Sequence, residues 1–402
     1  MTSLVSESAH AVVRAAERVL AKRYGVTVRL TDPENLGGSG QAIVLRVRVS
    51  DSPIRLSRTL VIKQMHNADG ASANGIAQAL GVGDGHAEGF VREAVSYQFA
   101  NSLATRHRPG PELLAHDLDQ RLLILSDLGD VPTFENVVTP DTTGMSTSDS
   151  TTNVLMGVAQ SLGRMHAATA GRSEDFGALL RRARASMSPY VPADTMRASV
   201  NNVPQLLSEV LGVATPPDIQ HKVAEFSDIL QGNSFRAFSP GELSPDNIVV
   251  SSSGIRFLDY EWGGFRDAVL DLGSILVSFP QCSYDLGLTP EQSASMVDAW
   301  RAEIATVWPQ LLDDDVLDRR LLAARTVWVW LSTAWHLPED HLRRALERDA
   351  GRPLAPRRAL ASRWAGLFQA ADAVGDHALA EHAAAVMDAL RQTDSTPAMR
   401  LP

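Results

Sequence analysis

Residues 240–261 read PGELSPDNIVVSSSGIRFLDYE and form the most informative segment of the chain. Two short apolar runs, 248–250 and 255–258, flank a tetrad of three serines and a glycine that is typical of a tight turn. The segment therefore predicts a β-hairpin. Because a two-stranded ribbon folds back on itself, Asn247 before the hairpin and Asp259 after it are expected to lie close together.

Polar side chains at both ends of this hairpin define a candidate cation site. Asn247 offers an amide oxygen, Asp259 offers a carboxylate, and Glu242 lies a few residues upstream. Hard oxygen donors suit Mg²⁺, which needs few protein ligands when phosphate groups and water supply the others. The sequence therefore predicts a magnesium site at the base of the hairpin.

The chain upstream of the hairpin predicts a small sheet with one main helix. The turn Gly37-Gly38-Ser39-Gly40 precedes residues 43–49, whose second half alternates apolar and basic residues as a half-buried strand does. A second strand is predicted at 59–63 and ends at Lys63, and a buried strand is predicted at 122–125. Helical spacing is found at 10–24 and at 89–103.

The segments between and after these elements differ in composition. Residues 67–89, rich in Gly, Ala, Asp and Asn, are predicted to form an insertion, and residues 132–153 a polar loop. Beyond that loop, apolar stripes predict helices at 154–165, 219–230, 290–308, 313–335, 356–374 and 377–390.

The predicted organisation is therefore an α+β protein with two lobes. The boundaries are an N-terminal lobe at 1–130, a C-terminal helical lobe at 131–393 that carries the hairpin, and a tail at 394–402.

Composition restricts the classes of function. The chain has 402 residues and a formal net charge of -10, which argues against a broad nucleic-acid surface because such surfaces need clustered Lys and Arg. Cys282 is the single cysteine, so neither an intrachain disulfide nor a cysteine metal cluster can form. No signal peptide and no apolar run long enough for a membrane span is found. We therefore expect a cytoplasmic protein with no nucleic-acid or membrane partner.

Several further motifs occur in a fixed order around the hairpin. They are Arg92-Glu93, Leu125-Ser126-Asp127-Leu128-Gly129, Leu162-Gly163-Arg164-Met165-His166, Asp259-Tyr260-Glu261 and Asp271-Leu272. Each is weak alone, but the ordered set, which covers roughly residues 30 to 275, resembles the aminoglycoside and choline phosphotransferase family. That resemblance implies the protein kinase-like fold, with ATP and Mg²⁺ held between the two lobes.

The resemblance also implies a role for individual residues. Lys63 would contact the α and β phosphates of ATP, and Glu93 would hold Lys63 in place. Asn247 and Asp259 would bind Mg²⁺. The remaining assignments are backbone amides over the phosphates for Gly37, Gly38, Ser39 and Gly40, and backbone contacts to adenine for Ser126 and Leu128.

The sequence departs from the family at its catalytic loop, where His-Gly-Asp is replaced by Pro-Gly-Glu. Pro240 stands at the position of the histidine that orders the loop, and Glu242 stands at the position of the catalytic aspartate. Glutamate keeps the charge but is one methylene longer, and a misplacement of about 1 Å can cost on the order of a hundredfold in rate. A loose transition state depends mostly on positioning and charge stabilisation, so we expect slower transfer with Glu242 as the catalytic residue.

Three functions remain open from the sequence. The first is an ATP-dependent phosphotransferase that acts on a hydroxyl of a small molecule, such as an aminoglycoside, an amino alcohol or another metabolite. The second is a nucleotide-binding pseudokinase or partner module. The third is a kinase-like enzyme whose acceptor is a Ser or Thr of a peptide. The sequence names neither the acceptor nor the oligomeric state.

Four polar residues are assigned no catalytic role. Asp271 is interpreted as structural, and His166 as a helix-end residue bonded to the backbone. His116 and Asp117 are placed in the turn before the strand at 122–125.

Overall fold

A computed structural model gives the structure of the protein and describes most of its residues. The described ranges are 2–37, 42–65, 85–138, 148–183, 192–232, 234–241, 243–252, 254–282, 285–338 and 356–394. Most of the insertion predicted at 67–89 lies outside these ranges, as does the tail from residue 395.

Five strands near the N-terminus form one antiparallel sheet. They are β1 (Arg29–Gly37), β2 (Ala42–Asp51), β3 (Thr59–Met65), β4 (Leu113–Asp117) and β5 (Leu122–Ser126). Their order across the sheet is β1-β2-β3-β5-β4, so β3 lies in the centre. The predicted strands correspond to β2, β3 and β5. The prediction missed β1 and β4, and it was wrong to place His116 and Asp117 in a turn, because both lie in β4.

Two helices, α1 (Thr2–Tyr24) and α2 (Gly85–Asn101), accompany the sheet on opposite faces. Leu122 and Ile124 of β5 pack into one apolar core together with α1. Leu123 and Leu125 pack into a second, larger core together with α2. Because successive residues of a strand point to opposite faces, the two helices cover the two sides of the sheet.

The remainder of the described chain is mostly helical. Its helices are α3 (Phe134–Val138), α4 (Ser148–Thr169), α5 (Ser173–Ala183), α6 (Pro192–Leu211), α7 (Pro217–Phe226), α8 (Ala268–Leu276), α9 (Pro290–Ile304), α10 (Asp314–His336), α11 (Pro356–Ala373) and α12 (His377–Asp394). Two antiparallel ribbons lie among them. The first joins β6 (Arg236–Ser239) to β9 (Gly264–Asp267), and the second joins β7 (Ile248–Ser251) to β8 (Gly254–Phe257).

The predicted hairpin is the second of these ribbons. Ile248 pairs with Phe257 and Ser251 pairs with Gly254, so the turn falls where the serine-rich tetrad predicted it. The predicted polar loop at 132–153 was partly wrong. It contains α3, and its last residues belong to α4, which begins at Ser148.

Helix α6 was not predicted because Pro204 interrupts its sequence. Proline in a helix interior removes a backbone hydrogen bond, so in a sequence it indicates the end of a helix. Val200, Val203 and Leu207 are nevertheless fully buried, and their packing in the larger core stabilises the helix despite Pro204.

The predicted α+β fold is confirmed. An N-terminal five-stranded antiparallel sheet is followed by a mostly helical part with two small ribbons. In the described part of the chain, the helices are too short or too polar to cross a lipid bilayer.

Candidate functional site

A cleft of about 670 Å³ lies between the sheet and the β7–β8 hairpin. The sheet contributes one wall through residues of β1, β2, β3 and β5, and the hairpin contributes the other. Seven residues that the sequence assigned to a site line this cleft: Gly37, Lys63, Glu93, Ser126, Leu128, Asn247 and Asp259. The fold therefore collects residues from distant parts of the chain into one cavity.

Lys63 is the centre of the cleft's charge network. It lies near the end of the central strand β3, opposite Val44 of β2 and Leu123 of β5. Its Nζ donates to Glu93 Oε1 at 2.8 Å and to Asp259 Oδ1 at 2.7 Å. The ammonium therefore joins the sheet, the helix α2 and the end of the hairpin.

The electrostatics of this network favour a charged lysine. Burial alone lowers the pKa of Lys63, but the carboxylates of Glu93 and Asp259 outweigh it and raise that pKa above its usual value. Burial raises the pKa of Glu93 despite the nearby ammonium, and the charge of Asp259 adds to the shift. Burial and the charge of Asp259 also raise the pKa of Glu261. Among the described residues that line the cleft, five acidic side chains outnumber the two cations, Lys63 and Arg46.

The hairpin brings Asn247 and Asp259 to adjacent positions. The amide of Leu258 donates to the carbonyl of Asn247 at 2.8 Å, which extends the ribbon by one bond beyond the pair Ile248 and Phe257. Asp259 then adopts a φ of +58°, in a left-handed region that is uncommon for residues other than glycine. This turn ends the ribbon, and Asp259 meets Lys63 directly after it.

Hydrogen bonds that involve Asp271 hold the loop that precedes the hairpin. Ser239 Oγ donates to Asp271 Oδ1 at 2.7 Å, and the amide of Gly241 donates to Ser239 Oγ at 3.0 Å. Arg266 donates to the carbonyl of Gly241 at 2.9 Å and also to Asp271. Asp271 is fully buried, yet Arg266 and His166 overcome the effect of burial and hold the pKa of its carboxyl below the usual value. Asp271 therefore acts as a structural anchor, which is the role that the sequence analysis gave it.

Gly241 is also required sterically in this loop. Its φ is +90°, and a Cβ atom there would lie 2.1 Å from the carbonyl oxygen of Trp262. A larger residue would push the loop away from the segment that follows the hairpin.

The interpretation of His166 was wrong, because its ring contacts two side chains and not the backbone. Trp300 Nε1 donates to His166 Nδ1 at 3.0 Å, so Nδ1 carries no hydrogen. The hydrogen then lies on Nε2, which is 3.0 Å from Asp271 Oδ2 and donates to it. His166 therefore supports the same anchor as Ser239 does.

The segment after β5 offers backbone groups to the cleft. The amide of Ser126 is already bonded to the carbonyl of Glu112 at 2.8 Å, so only its carbonyl could meet a ligand. In the described part of the chain, the amide of Leu128 makes no hydrogen bond, and Leu128 lines the cleft. Leu128 is therefore better placed than Ser126 to donate to a bound base.

Arg46 is a cleft residue that the sequence did not indicate. It lies on β2, and its Nε is 2.9 Å from Asp127 Oδ2, while its Nη1 is 2.5 Å from Asp130 Oδ1. Arg46 and Asp127 both line the cleft. In the sequence, Arg46 is one of several basic residues in an alternating strand, which is the pattern of a solvated face.

Four assigned residues lie outside the described ranges. They are Gly38, Ser39 and Gly40 of the glycine-rich turn and Glu242 of the loop before the hairpin. Both neighbours of Glu242 are described, and Gly241 and Leu243 are buried.

The donor set fits a divalent cation that arrives together with phosphate groups. The described residues contain no group of three or more His, Cys, Asp or Glu side chains that would hold a metal ion unaided. Asn247 and Asp259 supply two oxygen donors, and the cleft has excess carboxylate charge. In addition, Glu93 Oε2 is buried and has no hydrogen-bond partner among the residues that the structure describes. A Mg²⁺ ion with few protein ligands is consistent with this arrangement.

Comparisons with solved structures find similarities across most of the chain. A choline/ethanolamine kinase family protein from Mesorhizobium loti has a TM-score of 0.48 and 15% identity, covering 94% of this chain and 99% of that one. A choline kinase from Cryptosporidium parvum Iowa II has a TM-score of 0.47 and 10% identity, covering 94% and 98%. A thermostable mutant of aminoglycoside phosphotransferase APH(4)-Ia has a TM-score of 0.39 and 15% identity, covering 94% and 100%.

No protein-family model matches the chain, and no curated protein matches it.

Proposed function

We propose that the protein is an ATP-dependent phosphotransferase that transfers the γ-phosphate to a hydroxyl of a small molecule. The observation that carries this proposal is the Lys63 ammonium, held by Glu93 and Asp259 at the cleft wall. A permanently charged lysine beside an acid and an amide is the set of groups that phosphoryl transfer uses to position a triphosphate and its cation.

Different residues of the cleft would bind different parts of the nucleotide and its cation. Lys63 would contact the α and β phosphates, and Glu93 would keep its ammonium oriented. The amide of Leu128 would donate to the adenine ring, and Ser126 would offer its carbonyl. Asn247 and Asp259 would hold Mg²⁺, which when bound neutralises charge on the phosphate oxygens. Gly37 is the last residue of β1 and would lie over the phosphates, together with the backbone amides of Gly38, Ser39 and Gly40.

Glu242 would accept the proton of the acceptor hydroxyl. Support for this role comes from the loop on which it lies, since Ser239, Arg266 and Asp271 fix the preceding residue Gly241. A carboxylate on a fixed loop can orient a hydroxyl for attack, and phosphoryl transfer gains most of its rate from such positioning.

The presence of Glu242 at the catalytic position also favours a second candidate function, that of a pseudokinase, which binds nucleotide without turnover. The longer side chain at the catalytic position is the specific observation behind this alternative. Both candidates predict Mg²⁺-dependent ATP binding, and only the phosphotransferase predicts ADP release that depends on an acceptor.

The test combines binding with turnover. The full-length protein is titrated with ATP in the presence and absence of Mg²⁺, and ADP release is then screened with aminoglycosides, amino alcohols and Ser- or Thr-containing peptides. We expect Mg²⁺-dependent binding and ADP release stimulated by a small hydroxyl compound. Stimulation by peptides alone would change the acceptor class, and binding without any stimulation would favour the pseudokinase. Absence of nucleotide binding would reject both.

The variant Glu242→Asp examines the catalytic assignment directly. It restores the family's residue, so the transfer rate should rise if the additional methylene slows the reaction. A lower rate would show that the site is adapted to glutamate. Glu242→Gln should abolish transfer and leave ATP binding unchanged, because it keeps the shape and removes the proton acceptor.

A further inference from the structure

A second cavity of about 670 Å³ lies within the helical part of the molecule. Its walls come from the end of α8 and from α9, α10 and α11. None of the described residues that line it also lines the first cleft, and none belongs to the segment 236–267 that carries both ribbons. This cavity is therefore separate from the proposed phosphotransfer site.

Arg325 of α10 gives this cavity a charged group that is not neutralised by a direct contact. Its side chain is half-buried and lines the cavity, and in the described part of the chain it makes no hydrogen bond or ion pair. Burial lowers the pKa of Arg325 to about 10, although the charge of Asp318 opposes this shift. The guanidinium is thus still charged at neutral pH, and it is partly removed from water without a hydrogen-bonded anion.

The other arginines of this cavity are already used by the fold. Arg363 is buried and donates to the backbone carbonyls of Val277, Ser278, Phe279 and Cys282. Arg301 donates to Asp314 at 2.7 Å. Arg325 differs from both, because its donors are available to a ligand.

The walls around Arg325 combine apolar and polar surface. Leu276 and Leu322 are almost fully buried, and Val297 and Ala370 contribute half-buried surface. Apolar wall surface beside a guanidinium that has no hydrogen-bonded anion among the described residues suits a small molecule with an apolar body and an anionic end, and the volume of the cavity lies within the usual range for such sites.

The acidic residues of the cavity restrict the charge of that ligand. Asp298 and Asp318 are exposed at its rim, and Asp285 accepts hydrogen bonds from Ser278 and Ser362. These carboxylates would repel a dianion such as a phosphate ester. A single carboxylate can pair with Arg325 through two parallel hydrogen bonds without bringing a second negative charge.

We propose that this second cavity binds a small monocarboxylate with an apolar body, whose carboxylate pairs with Arg325. The inference is independent of the proposed phosphotransfer, because it depends on different residues.

The test is a titration of the full-length protein with 3-phenylpropionate, followed by calorimetry or by ligand-observed NMR. Phenethylamine, which lacks the carboxylate, and inorganic phosphate, which lacks the apolar body, serve as comparison probes. We expect 3-phenylpropionate to bind and both comparison probes to bind much more weakly. Phosphate affinity equal to that of 3-phenylpropionate would overturn the assigned ligand class.

Substitutions test whether 3-phenylpropionate binds at Arg325. Arg325→Met keeps the aliphatic stem and removes the charge, so affinity for 3-phenylpropionate should fall at least about tenfold. Arg319→Met changes an exposed arginine on the same helix, so it should bind as the wild type does. Unchanged affinity in Arg325→Met, or an equal loss in Arg319→Met, would overturn the proposal.

The stability of the unliganded variant separates a ligand-binding arginine from a structural one. If Arg325 has no partner in the folded protein, the Tm of Arg325→Met should equal or exceed that of the wild type, because a partly desolvated charge is removed. A Tm lower by several degrees would show that the guanidinium has an intramolecular partner, which contradicts the proposal. Arg325→Lys keeps the charge but not the paired geometry and should show intermediate affinity.

Discussion

The Lys63 ammonium lies 2.7 Å from the Asp259 carboxylate, although 196 positions separate the two residues in the chain. This ion pair crosses the cleft from the central strand of the sheet to the end of the hairpin. The same ammonium also donates to Glu93, so one cation is paired with two carboxylates. A triphosphate and its metal ion would engage the same groups, which makes this contact the point where the proposed function can be tested most directly.

Replacing Asp259 should weaken nucleotide binding that depends on Mg²⁺. In Asp259→Ala the hairpin loses its carboxylate donor, while the fold should persist because about a third of that side chain is exposed. We expect the affinity for ATP with Mg²⁺ to fall at least about tenfold, since hydrogen bonds and contacts of charged groups contribute on the order of 1.5 to 3 kcal/mol. Calorimetric titration with Mg²⁺ and with a chelator measures this difference.

The matched control for Asp259 is Asp119→Ala, which removes an exposed carboxylate in the turn before β5. It should bind ATP with Mg²⁺ as the wild type does. Identical affinities in all three proteins would tell against the assigned metal site.

Removing the Lys63 charge should destabilise the unliganded protein. In Lys63→Met, Glu93 stays fully buried without its counter-ion, and losing one partner of a buried ion pair costs about 3 to 5 kcal/mol. The double variant Lys63→Met with Glu93→Gln should recover part of that loss, because the amide carries no charge. Urea unfolding of both variants gives the comparison, and a loss below about 1 kcal/mol in the single variant would disprove the coupling.

The sequence predicted those parts of the site that depend on short-range geometry. The hairpin follows from two apolar runs and one turn, so the proximity of Asn247 and Asp259 could be deduced from the ribbon alone. The contact between Lys63 and Asp259 could not be deduced from the ribbon, because it also requires the sheet to lie against the hairpin. Only the resemblance to a family implied that arrangement.

The resemblance implied a structural role for Asp271, but its partners were not predictable for the same reason. Asp271 bonds to Ser239 and His166, and His166 in turn accepts from Trp300. These three partners come from separate segments, and none of them has a local sequence signal for this role. Arg46 was missed because an arginine in an alternating strand usually faces solvent. Here its guanidinium instead forms an ion pair with Asp127 at the cleft.

Arg46 should be needed to hold the segment after β5 in its binding conformation. Its bond to Asp127 is mostly buried, and the same aspartate accepts from the amide of Gly129 at 2.9 Å. Arg46→Met should therefore lower ATP affinity several-fold, because Leu128 loses its fixed position. Arg48→Met, on the same strand but exposed, should have no effect. Equal affinities in the two variants would contradict this positioning role.

Ser239 should affect turnover more than binding. In Ser239→Ala the amide of Gly241 loses its acceptor and Asp271 loses one donor, so the loop that carries Glu242 becomes less fixed. We expect kcat to fall about tenfold or more, with little change in ATP affinity. Ser274→Ala is a matched control, because in the described part of the chain the hydroxyl of this buried serine bonds only to the backbone carbonyl of Asp271. An equal fall in kcat for both variants would indicate a general loss of stability.

His382 should make the stability of the helical part depend on pH. Burial between Trp330 and Trp364 lowers its pKa to about 4, from a usual value of 6.5, although Asp218 opposes this shift. Below pH 6.5 the unfolded chain binds a proton that the folded protein does not yet accept, so the free energy of unfolding decreases as the pH falls. The loss between about pH 6.5 and about pH 4.5 should be on the order of 2 to 3 kcal/mol. Urea unfolding should show that His382→Phe removes this loss, whereas His377→Gln, on the exposed side of α12, retains it. The same pH dependence in both variants would exclude His382 as its source.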